Sequence, residues 1–196
     1  MPTTETLPAD IQKLITELNQ NDAGAKQVML GLTSEQLNWQ PHNGKAWSIL
    51  QCFDHLILAN KGYLDSMWPL VRGTNAAKTP RKGPIKPGLF AKWFLGTVEP
   101  PAKLKTPTVD TLVPPSRGDR DQVLAAYVKT NDDLRALLQA GAGIDLNALT
   151  MTNPFIKQLN VNVGTAILLI AAHERRHTWQ AGEVRKVVEA SGRTTT

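Results

Sequence analysis

The stretch AAHERRHTWQAG, residues 171–182, decides how this 196-residue chain is read. Its two histidines, His173 and His177, stand four positions apart. On an α-helix residues i and i+4 lie one above the other on the same face, and two imidazoles placed that way can close on a single divalent ion. The flanks read as helix too. Ile167, Leu168, Ile170 and Ala171 precede the pair and Val184, Val187 and Val188 follow it, so the spacing predicts one long helix over about 163–190 with the pair on its inner face. A metal site needs at least one more ligand, and the chain holds four histidines in all. His42 lies in a Pro-His-Asn-Gly turn, where a histidine is normally exposed. His55 lies within WSILQCFDHL, which reads as helix. On its own it suits a core histidine satisfied by a hydrogen bond; beside the late pair it becomes the third ligand. The expectation is a three-histidine metal site, His55 with His173 and His177, that clips two helices together.

Working outward, residues 7–30 read as the first long helix, opened by Pro8, with Ile11, Leu14, Ile15, Leu18, Val28 and Met29 at helical spacing. Thr33 and Gln36 have capping-box spacing and predict a single turn. Ser48 and Gln51 repeat that signature at the start of a second helix running to about Trp68, before Pro69. The third spans 119–140 on Val123, Leu124, Tyr127, Leu134, Leu137 and Leu138, stopped by Gly141. Residues 141–162 read as a loop, and the tail SGRTTT as frayed. No strand pattern or internal repeat is visible. The fold class is therefore all-α: a four-helix bundle forming a single domain over 1–196, with an irregular insertion at 72–118 between the second and third helices.

That insertion holds 8 of the 13 prolines. Its GLFAKWFLG stretch predicts one short helix. Phe90, Trp93 and Phe94 there either pin the loop to the bundle or wall the entrance to the metal pocket. The overall charge of +5 is concentrated in the same region. Residues 71–120 carry 10 Lys/Arg against 3 acids, a net +7 that leaves −2 for the rest. Such a segment suits an anionic small molecule, or is a solvated loop. The alternative function is a non-catalytic stress- or damage-response protein that uses this segment to bind nucleic acid or another anion, with nucleic acid disfavoured because little aromatic interleaving accompanies most of the charges. No apolar run is long enough to span a membrane. One cysteine excludes an internal disulfide and fits a cytoplasmic protein, as does an N-terminus without signal-peptide features.

Three histidines leave a fourth position for water or substrate, which is the catalytic rather than the structural pattern. Neutral imidazole suits zinc, nickel or iron, and an ion so held activates water or a thiol. HERRH also matches the metallopeptidase pattern HExxH, with Glu174 as base and Glu183 as a further ligand. Against that, no glycine at position 180 turns the chain, and Glu174 points about 100° away from His173. Glu174 then reads as a weak candidate base, more naturally a residue behind the ligands or on the surface, paired with an arginine. Cys52, one turn before His55, either faces the pocket or is a buried, inert thiol. Gln180 either hydrogen-bonds near the metal or lies on the helix surface.

Taken together, Trp47, Ser48, His55 and Leu56 in the early motif, and His173, His177 and Gln180 in the late one, make the chain resemble the DinB-like superfamily. This group includes bacillithiol transferases and mycothiol-dependent enzymes. The resemblance implies a four-helix bundle, a divalent metal on the three histidines and often a homodimer. For characterised relatives it implies transfer of a low-molecular-weight thiol to an electrophile, or isomerisation assisted by one; many others are described only as metal-dependent hydrolases. The function expected is thus that of a metal-dependent enzyme, a thiol S-transferase or hydrolase acting on a small molecule.

Overall fold

The computed structural model describes residues 6–101 and 108–191. The expected fraying of the tail falls on residues 192–196, which lie outside them, as do Lys103 and Lys105 of the basic segment and the side chain of Phe90.

Four long helices build the molecule. The chain opens with α1 (Ala9–Met29). Two single-turn elements follow, α2 (Ser34–Asn38) and α3 (Pro41–Gly44). The next long helix is α4 (Ile49–Arg72). Both predicted capping boxes form: Thr33 and Gln36 exchange side-chain and backbone hydrogen bonds, and so do Ser48 and Gln51. The Ser48 box satisfies two groups that a buried helix start would otherwise leave orphaned. Pro69 does not end α4. It costs one intrahelical bond near the C-terminus, but buried Val71 and the Arg72 guanidinium, 3.9 Å over the Trp68 ring, hold one more turn.

Between the second and third long helices lie α5 (Thr74–Ala77), α6 (Leu89–Val98) and a 3-10 turn at Asp110–Leu112. The expectation of one short helix in this region is thus too sparse. After α7 (Arg120–Ala140), capped by the Asp119 side chain, comes a two-stranded hairpin, β1 (Thr150–Thr152) with β2 (Asn160–Asn162). Thr150 pairs with Asn162 and Thr152 with Asn160. Residues 141–162 are therefore not plain loop; three-residue strands are too short to show a period. The hairpin's Phe155 ring fills the space that a side chain at Gly62 would need, 2.5 Å from where its Cβ would stand, and stacks edge-on against Tyr63. Last comes α8 (Val163–Ala190), with the expected bounds.

Around the bundle, α1 and α4 each pack along α7 and α8. Asn21 and Asn60 both meet Glu174, while Arg185 reaches the carbonyls of Gln27, Val28 and Leu30. These contacts run α1 parallel to α8. Gly118 lies against Leu50 and Asp54, so α7 starts beside the start of α4 and runs parallel to it. The insertion is therefore a crossover that must retrace the length of α4, about 36 Å for 24 residues. That length explains why so many residues lie between the two helices.

The crossover is tied down along its course. Arg81 donates two hydrogen bonds to Asp10, the Ile85 amide donates a third, and the Asn147 side chain bonds both Pro84 and Lys86. The core falls into two apolar clusters. One gathers Ile11, Leu18, Met67 and Leu137; the other Met29, Ile49, Phe53 and Tyr127. Between them runs a buried polar layer: Asn21 and Asp22 of α1, Asn60 of α4, Thr130 and Asn131 of α7, and Glu174 of α8. No described helix is long and apolar enough to cross a membrane.

Candidate metal centre

His55 occupies the inner face of α4, where its neighbours Leu56 and Phe53 are fully buried. His173 and His177 stand on the facing side of α8, one turn apart. The structure brings these three together, and they form the one group of potential metal ligands among the described residues, with donor atoms within 4.8 Å of one another. His55 Nε2 lies 3.2 Å from His173 Nε2, and His177 Nε2 lies 3.0 Å from the same atom. Nitrogens on a tetrahedral zinc at its usual bond length would be about 3.3 Å apart.

The protonation pattern fits a cation at the centre. The Leu112 carbonyl accepts from His55 Nδ1 at 2.8 Å. A carbonyl cannot donate, so that proton sits on Nδ1 and leaves Nε2 with a bare lone pair. Orientation of a ligand imidazole by a backbone carbonyl on its far nitrogen is the usual support of a metal-binding histidine. Of the two Nε2 contacts at His173, a single ring proton can serve only one well, whereas a cation at the centre would satisfy all three nitrogens. Burial holds all three rings towards the neutral form that a ligand needs. His173 is pushed down to about 3 by burial, by His55 and by Arg176. His177 falls well below the usual range for the same reasons, opposed by a hydrogen bond with Gln180. Burial also lowers His55, against the Leu112 bond.

Around the rings, Trp47 packs 4.7 Å from His55 and 5.7 Å from His177, centroid to centroid. It stands just before the Ser48 cap, whose Gln51 is held by Gln40 and by the Pro115 carbonyl. The crossover thus meets α4 twice, at His55 through Leu112 and at the Gln51 cap through Pro115. Trp93 and Phe94 of α6 do not pin the loop to the bundle through buried rings. Ala91, Leu95 and Val98 turn inward, while Trp93 and Phe94 remain 65% and 42% exposed. A spacing of three and four from Val98 selects the smaller residues for the packed face.

His42 is exposed in its turn, with a left-handed φ of 55°, and does not join the cluster. Cys52 is fully buried in the apolar cluster, its thiol pushed up to about 12 by burial. Glu183 bonds Lys186 on the helix surface. Glu174 overturns its surface reading: it is wholly buried, and its partners among the described residues are amides, not an arginine. Asn21 and Asn60 donate to its carboxylate at 2.8 and 2.7 Å, and Asn131 approaches at 3.5 Å. Burial raises it to about 7 against those amide bonds. The arginine beside it, Arg175, bridges Glu17 and Glu99 instead. Sequence reasoning missed this carboxylate's surroundings, although Asn21, Asn60 and Asn131 at otherwise apolar helix positions were a signal for them.

The family model of the DinB superfamily matches residues 17–181. Among solved structures, YfiT from Bacillus subtilis, described as a probable metal-dependent hydrolase with an unusual four-helix bundle topology, is 18% identical. The likeness covers 96% of this chain and 94% of that one with a TM-score of 0.58, and at this identity it shows the fold alone. No curated protein matches the chain.

Proposed function

The chain belongs to the DinB superfamily, and on that premise we propose that it is a metal-dependent enzyme whose ion is held by His55, His173 and His177. The observation that carries the reading is the convergence of three neutral imidazole nitrogens, one of them orientated by a backbone carbonyl. When bound, a divalent ion such as zinc, nickel or iron supplies Lewis-acid activation of water or of a low-molecular-weight thiol. Hydrolysis is supported by the description of the similar YfiT fold, and thiol transfer by the Trp47–His55 and His173–Gln180 motifs.

The chain's own groups define the rest. His55 is orientated by Leu112, and Trp47 covers the rings on one side. Arg176 lies three residues beyond His173, its guanidinium acting on both late imidazoles and donating to the Thr97 carbonyl. A cation there favours a substrate bearing a carboxylate or phosphate. Glu174 faces the polar layer between the helices, which argues against the metallopeptidase role of HExxH.

Metal analysis of protein purified without an immobilised-metal column tests the reading. We expect about one divalent ion per chain, lost in His55→Ala and retained in His42→Ala. Release of product from an ester or amide without added thiol would mark a hydrolase; consumption of a free thiol with an electrophile would mark a transferase. Absence of stoichiometric metal, unchanged by His55→Ala, would overturn the proposal.

A further inference from the structure

We propose that Glu174 is the positioning residue of the three-histidine cluster: its carboxylate, bonded by amides from α1 and α4 and approached by one from α7, fixes the rotation of α8 that brings His173 and His177 to His55. The ligand role of the cluster rests on the function proposed above; the positioning of its rings does not.

The argument starts from what else could fix that rotation. Between Ile170 and Val184 the buried residues of α8, apart from His177, are Ala171, Ala172, Glu174 and Ala181. Three alanines present short, nearly symmetrical surfaces, and a helix packed on them slides or turns at little cost in contact. Glu174 is the fully buried long side chain in that stretch whose bonds have direction; Arg175, partly exposed, adds bonds to Glu17 and Glu99 from the helix surface. Asn21 Nδ2 meets Oε2 at 2.8 Å, Asn60 Nδ2 meets Oε1 at 2.7 Å, and Asn131 Nδ2 stands 3.5 Å from Oε2. The donors are fixed in turn. Asn131 also donates to Asp22, which Arg135 holds at 2.8 Å, and Asn60 donates to Thr130 as well. The carboxylate is thus tied to all three other long helices, one residue from His173 and three from His177.

Small rotations matter here. A side-chain tip 5–6 Å from a helix axis moves about 1 Å for a 10° turn, whereas metal–ligand distances tolerate about 0.2 Å. Ile170, three residues before His173, and Val184, seven after His177, pack through apolar contacts, which carry no direction of their own.

The test compares Glu174→Ala and Glu174→Gln with Leu137→Ala, a truncation in the apolar cluster that also holds Ile11 and Met67, all at a temperature where each is folded by circular dichroism. Two readouts are used. One is cobalt(II) affinity and ligand-field spectrum. The other, on metal-free protein, is the rate of carbethoxylation of each histidine by mass spectrometry. For Glu174→Ala we expect cobalt affinity to fall about 10- to 100-fold, and His173 and His177 to lose protection. Leu137→Ala should stay within about twofold of the parent in both. Glu174→Gln should recover part of the loss. Its oxygen still accepts from Asn60, and its new NH2 can be met by the Asn60 or Asn131 Oδ1, both buried and without a partner among the described residues. If Glu174→Ala does not fold, the same comparison is read on Glu174→Gln, expected to lie between the parent and a full loss of protection. Unchanged protection and cobalt affinity in the Glu174 variants would overturn the proposal, as would equal loss in Leu137→Ala. A parent that binds no cobalt, with protection still lost on Glu174 substitution, would leave the positioning standing and remove the metal reading.

Discussion

At the scale of single residues the site is decided by what each polar atom can still do. Leu112 forces one tautomer on His55, and burial keeps the late pair neutral. The same burial silences Cys52, one turn earlier on α4. Its thiol stays protonated until the pH nears about 12, and it is wholly covered. A disulfide reagent at pH 8 is therefore expected to find no reactive thiol in the native protein and one after denaturation; fast native labelling would show that the pocket reaches Cys52. The histidine cluster was legible because it needs only local rules, an i, i+4 pair and a third helical histidine. Glu174 was not. Its rotation off the His173 face was readable, but its partners lie 153, 114 and 43 residues away. No local rule foretells three amides converging from that distance.

At the scale of elements, side chains fasten the ends of helices and the crossover between them. Arg185 of α8 donates to the last carbonyls of α1, groups a helix end leaves without internal partners. Arg185→Ala should cost about 1–2 kcal/mol, seen as a lower denaturant midpoint with an unchanged slope. The crossover is pinned by Asp10. Burial would raise that carboxyl, but the Ile85 amide and Arg81 outweigh it and hold its pKa below the ordinary 3.8. A depressed carboxylate adds stability above its unfolded pKa and loses it as pH falls through the folded one. The melting-temperature gap between the parent and Asp10→Asn should therefore be open at pH 6 and close as the pH drops below 3.8. A gap independent of pH would mean the anchor is not ionic. The α1, α7 and α8 bounds were readable from caps and periodicity; the crossover was not. Proline and lysine mark it as irregular, while its anchors, Asp10, Asn147 and His55, belong to other elements.

At the scale of the whole molecule, the parallel neighbours α1 and α8 pack against the parallel neighbours α4 and α7, and a polar layer divides the core into two apolar clusters. Four amphipathic helices could be read from the sequence, but not this arrangement. Helical periodicity shows which face is buried and is silent on which helix buries it. The divided core has an energetic consequence. Packing defects are carried through side chains that touch, and those with no shared partner contribute independently. Leu137 lies in one cluster and Ile49 in the other, both fully buried. Leu137→Ala should cost about 2–5 kcal/mol and Ile49→Val about 0.5–1.5 kcal/mol. In the double variant the two should add within about 0.5 kcal/mol. Chemical denaturation of the four species measures the coupling. A coupling clearly above that margin would show that the layer of Asn21, Asn60, Asn131 and Glu174 transmits strain between the clusters. The histidine cluster, set beside that layer, would then feel substitutions in either half of the core.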